Sequence, residues 1–155
     1  EIVDRLHYAP EGSRGVVGGL PQFGFANPSM TEAMEAMNAA MLVIVMLETP
    51  DAIARADEIA AVEGIDVIQI GTNDLAAASG IPGDVGHERI VASYETVAAA
   101  CRKHGKWLGM GGVPVPELQE IYISMGVRFV LAGQDISYLI AMALNTVNRV
   151  RGYAT

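Results

Sequence analysis

The stretch "VIVMLETPDA", Val43 to Ala52, is an almost fully apolar run that breaks on Glu48 and passes straight into a helical pattern. The stretch "VIQIGTNDLA", Val67 to Ala76, repeats the design, with Asp74 as the acid. Continuous rather than alternating apolar strands are what a parallel sheet covered by helices requires. A carboxylate at the end of such a strand must stay solvated, pair, or bind something, because an isolated buried charge is prohibitively costly.

Working outward from these two runs, the same unit recurs along the chain. "EIVDRLHY" reads as the end of a helix, and Pro10, Gly12 and Gly15 open a loop to about Pro28. A loop of that length without structure of its own is usually functional or mobile. "TEAMEAMNAA" predicts a short helix capped by Thr31, followed by the strand "MLVIVML" and a helix from about Pro50 to Val62, with Gly64 as its stop. Strand "IDVIQI" then leads through a Gly-rich loop to helix "HERIVASYETVAAACRKH", closed by Gly105. Strand "KWLGM" leads to helix "PELQEIYISM", and strand "VRFVLAG" to helix "ISYLIAMALNTVNRVR". From Met41 onward this is four strands and four helices in alternation, an α/β chain with a parallel sheet.

Two architectures fit, and both place chemistry at the C-terminal ends of the strands, where Glu48 and Asp74 lie. A doubly wound dinucleotide domain calls for G-x-G-x-x-G after the first strand, but "ETPDAI" stands there; a Walker A loop is absent too. What remains is a (β/α)8 TIM barrel. A full barrel takes eight units and about 250 residues, so the 155 residues read as one domain, 1–155, holding half of one.

Composition narrows the function classes. At 51% hydrophobic residues and mean hydropathy +0.30, the chain has the makings of a real core. A formal net charge of −8 and a pI near 4.7 argue against a nucleic-acid partner. The single cysteine, Cys101, excludes an intrachain disulfide framework and fits a reducing compartment. No apolar run reaches the span of a bilayer, so the expectation is a soluble, cytoplasmic protein.

Two carboxylates on adjacent strand ends make an incomplete all-oxygen site suited to Mg²⁺ or Mn²⁺, which keep waters and substrate oxygens as further ligands. Glu48 and Asp74 also fit as acids that complement the start of the next helix, and their spacing leaves the two readings level. "GTNDLAAASG" reads either as an ordinary turn or as a loop whose Gly71 and Asn73 present N–H groups to an anion. None of His7, His87 and His104 ends a strand, so each reads as a surface or capping residue rather than a general base.

The runs "HYAPEGSRG", "VMLETPDA", "VEGIDVIQIGTNDLAAASGIPG" and "GVRFVLAGQD" together resemble the HpcH/HpaI aldolase family, the metal-dependent class II pyruvate aldolases, in its C-terminal part. The resemblance implies a (β/α)8 barrel, commonly a hexamer whose last helix packs on a neighbouring subunit. It implies reversible aldol cleavage of a small 2-oxo acid to pyruvate, or an analogue, plus an aldehyde. It places the divalent metal, Mg²⁺ or Mn²⁺ with Co²⁺ or Zn²⁺ as further candidates, on Glu48 and Asp74, where it stabilises the enolate. Backbone near Asn73 matches the position that contacts the substrate carboxylate, and Arg14 and Gly15 match a loop of structural role. Met46 stands where the family commonly has a substrate-contacting Gln. The family's catalytic His, its Asp partner and an Arg lie on the other half of the barrel, so no catalytic base is expected among these residues and a complementary N-terminal half is the expected partner. Open sheet edges add to that expectation. Two alternatives are a citryl-CoA-type lyase, disfavoured by the low positive charge, and a non-catalytic half barrel that binds a metabolite.

Overall fold

The computed structural model describes residues 1–17 and 21–153. Its centre is a four-stranded, all-parallel sheet in the order β1 (Ile44–Leu47), β2 (Val67–Gly71), β3 (Trp107–Gly111), β4 (Val127–Val130). Spatial order equals chain order, with no reversal. The register pairs Met46 with Gln69 and Gln69 with Gly109. It is pinned at its lower end by Asp66, whose Oδ2 accepts from the Val43 N–H at 2.7 Å, while Val43 O accepts from the Val67 N–H at 3.1 Å.

Around the sheet lie α1 (Ile2–Leu6), α2 (Met30–Ala39), α3 (Pro50–Ala54), α4 (Ala56–Ala60), α5 (Thr72–Ala78), α6 (Glu88–His104), α7 (Pro116–Ser124) and α8 (Asp135–Gly152). One sheet face carries Val45, Leu47, Ile68, Ile70, Leu108 and Met110 into a core shared with Ile53, Leu75, Ile90, Tyr94, Val97 and Tyr122 of the helices. Residues of opposite parity form the second face, where Met46 is 47% and Trp107 58% exposed. On that same face Val67 and Gln69 are each 2% exposed, so the apolar strand runs are used on both sides of the sheet.

Several elements depart from their sequence reading. The helix expected to be capped by Thr31 starts one residue earlier and is capped by Ser29, because Ser29 sets Glu32 at the third helical position and closes a reciprocal capping box. The helix expected over 50–62 is two short ones, α3 and α4, tightened at Arg55, whose N–H is shared between the Asp51 and Ala52 carbonyls. The segment "GTNDLAAASG" holds the helix α5 rather than a loop, since Thr72 to Ala78 are mostly good helix formers. The long loop from Pro10 contains a 3-10 turn at Pro21–Phe23, and its residues 18–20 lie outside the described residues. Gly105 closes α6 at φ 66° as its position predicts.

Buried polar pairs fix the covering layer. Asn38 accepts from the Tyr8 N–H at 2.8 Å and donates to Tyr8 O at 2.9 Å. Tyr94 and Tyr122 stack with centroids 3.8 Å apart, and the Tyr94 hydroxyl shares a 2.8 Å hydrogen bond with Thr72 Oγ1 at the start of α5. Burial pushes both phenols above their ordinary pKa, Tyr122 up to about 12, so each stays a neutral hydrogen-bonding group.

Candidate active site

At the C-terminal end of the sheet, Met46, Gln69, Gly71, Thr72, Asn73, Asp74, Gly111, Gly112 and Leu131 line a cleft of about 170 Å³. Glu48 stands at its rim: a Cβ built on Gly71 would lie 2.8 Å from both Cγ and Oε1 of Glu48 and 3.0 Å from Sδ of Met46. The structure therefore brings together Met46, Glu48, Asn73 and Asp74, all four residues singled out in the sequence.

Local folding explains how each arrives. β1 ends at Leu47, so Glu48 is the first residue past the strand, and Thr49 then caps α3 by accepting from the Ala52 N–H at 3.2 Å. Glu48 is not the cap itself but stands next to it at the start of α3. Asp74 sits in the first turn of α5, directly after β2. Glu48 is half-buried and Asp74 exposed, and among the described residues neither carboxylate has a hydrogen-bond or ion-pair partner. Unpaired acids of this kind are available to a cation.

Glycines shape the cleft. A Cβ on Gly112, whose φ is +76°, would lie 2.7 Å from Nδ2 of Asn73, and one on Gly111 would lie 2.7 Å from Nε2 of Gln69. Gly111 and Gly112 thus make room for two amide side chains. Gln69 itself escaped the sequence reading, although a lone amide inside the apolar run "VIQI" was a visible signal.

The histidines lie elsewhere. His7 Nδ1 is 2.9 Å from Val3 O, His87 caps α6, and His104 Nε2 is 2.9 Å from an Asp57 oxygen. Arg14 lies over the Tyr8 ring at 4.8 Å, a packing role. Among the described residues no group of three or more His, Cys, Asp or Glu could hold a metal.

A profile of the HpcH/HpaI aldolase/citrate lyase family matches residues 1–141. The chain belongs to that family. The HpcH/HpaI chain is 37% identical to 4-hydroxy-4-methyl-2-oxoglutarate aldolase tasA of Hapsidospora irregularis, over 96% of its own length and 56% of tasA. It is 34% identical to the hydroxypyruvate/pyruvate aldolase of Delftia acidovorans, over 97% of its own length and 55% of that enzyme. Among solved structures, the HpcH/HpaI aldolase from Desulfitobacterium hafniense DCB-2 superposes with a TM-score of 0.80 at 26% identity, covering 96% of this chain and 57% of that one. The chain thus spans little more than half the length of the relatives it matches.

Proposed function

We propose that this HpcH/HpaI chain is the C-terminal half of a (β/α)8-barrel aldolase that reversibly cleaves a 2-oxo acid into pyruvate, or a close analogue, and an aldehyde. The observation that carries this reading is the pair of unpartnered carboxylates, Glu48 and Asp74, gathered at one cleft on adjacent strand ends. The donor set is all oxygen and incomplete, which fits Mg²⁺ or Mn²⁺ with waters and substrate filling the remaining positions. The space left by Gly71 beside the Glu48 carboxylate fits it too. Such a cation supplies Lewis-acid polarisation of the 2-oxo group, offsetting the charge that gathers there.

The chain's own residues then divide the work. Glu48 and Asp74 hold the cation; Met46 and Asn73, which line the cleft, contact the substrate. In cleavage the C4 hydroxyl gives its proton to a base, the C3–C4 bond breaks with its electron pair moving toward C2, and C3 takes up a proton. The three histidines of this chain are engaged away from the cleft, so the base comes from the complementary barrel half. Closure by that half would also cover the second sheet face. A homo-oligomer belongs to the same reading, because α8 exposes Leu139, Met142, Leu144 and Val147 together. No helix among the described residues is long and apolar enough to cross a membrane, and a cytoplasmic setting suits the unpaired thiol of Cys101.

The test is retro-aldol assay of a 4-hydroxy-2-oxo acid by this chain assembled with its other barrel half. Mg²⁺ or Mn²⁺ should restore activity after chelation, and Glu48→Gln should lower kcat/KM by at least about 100-fold. Full activity in Glu48→Gln, or indifference to chelator, would overturn the reading.

A further inference from the structure

Gln69 is 2% exposed, and its Nε2 is buried without a hydrogen-bond partner. Buried amides are almost always satisfied, so an unsatisfied one calls for an explanation. The register shows why the protein supplies no partner: on one side Gln69 faces Met46, whose thioether is a weak acceptor at best, and on the other Gly109, which has no side chain. The side chain also does not fold away from the cleft. It reaches along the strand until Nε2 lies 2.7 Å from where a Cβ of Gly111 would be, and Gly111 is the register partner of Gly71. Glu48 Oε1 lies 2.8 Å from the corresponding position on Gly71. The amide and the carboxylate therefore stand beside register-paired positions of neighbouring strands, at the same level of the sheet.

We propose that Gln69 is a specificity-determining residue that donates its amide N–H to an oxygen on C3 of the bound acid, selecting 3-hydroxy-2-oxo acids over their unsubstituted counterparts. This rests on the aldolase reading, in which the C1 and C2 oxygens belong to the Glu48–Asp74 end of the cleft. A group one carbon further along meets the neighbouring strand, where Gln69 waits. A site built to hydrogen-bond a hydroxyl discriminates strongly against the analogue that lacks it, because the site's own donor is then left unpaired.

The experiment compares wild type with Gln69→Met and Gln69→Leu in the assembled barrel, using hydroxypyruvate and pyruvate. Calorimetric titration measures binding of each acid, and aldol addition to one common aldehyde measures kcat/KM. In the wild type hydroxypyruvate is favoured on both measures. In either variant the hydroxypyruvate-to-pyruvate ratio falls about tenfold or more, while the melting temperature holds or rises because a buried unsatisfied amide has gone. An unchanged ratio, a wild type that binds the two acids alike or not at all, or equal loss for both acids with a lowered melting temperature overturns the proposal. A wild type that binds with the expected preference yet cleaves and condenses nothing instead sinks the aldolase reading and leaves the assignment of Gln69 standing.

Discussion

Gly71 is the residue on which the candidate site turns. Its φ is −82°, ordinary for any residue, so a methyl group there meets no backbone strain, only Glu48 and Met46. Gly71→Ala should leave the melting temperature near the wild-type value, yet weaken Mg²⁺ binding measured by calorimetry by about tenfold, as expected when a ligand is pushed from its position. Undiminished Mg²⁺ affinity would show that Glu48 holds no cation. Cys101 gives a second prediction. Burial pushes its thiol up to about 11, so at pH 8 only about one molecule in a thousand carries the thiolate. A disulfide reagent should label it far more slowly in the native protein than in urea.

Among the elements, the join between β2 and α5 carries most. Tyr94 reaches from α6 to Thr72, the first residue of α5, two positions before Asp74. Tyr94→Phe leaves the buried Thr72 hydroxyl without a partner and should cost about 1 to 3 kcal/mol in urea unfolding. A destabilisation well below that range would mean that water replaces the phenol. On the outer surface, Asp57 binds Lys103 Nζ at 2.8 Å and His104 Nε2 at 2.9 Å, tying α4 to the end of α6. The hydrogen bond from Lys103, and then that from His104, lower the Asp57 pKa below the usual carboxylate value. A carboxyl depressed by folding stabilises above its unfolded pKa, near 4, and that contribution is lost as pH falls through the folded value. Asp57→Asn should therefore lower the urea midpoint at pH 7 and match wild type near pH 2.

For the whole molecule, the exposed faces decide behaviour. Every described residue from Leu131 to Tyr153 is exposed, although α8 carries a long apolar stripe, and β1 and β4 are open edges of the sheet. Unpaired edges and apolar patches of this kind associate. The 155-residue chain on its own should run above monomer mass in light scattering, and coexpression with the complementary half should reduce that association; a monodisperse monomer would count against the half-barrel reading.

The alternation of apolar runs with helices was enough to specify the parallel sheet and its helical cover, because strand and helix periods are local properties of the chain. Glu48 and Asp74 could be named from their places at strand ends, and the structure brings both to one cleft. Two things needed the tertiary structure. Helix boundaries at Ser29, Arg55 and Thr72 depended on which hydrogen bonds the neighbours left free, and the propensity of a few residues decides that poorly. The meaning of Gln69 depended on its cross-strand partners, Met46 and Gly109, and on the space beside Gly111. A sequence orders residues along one strand, but only the register between strands shows that a buried amide has been left with nothing of the protein's own to bind.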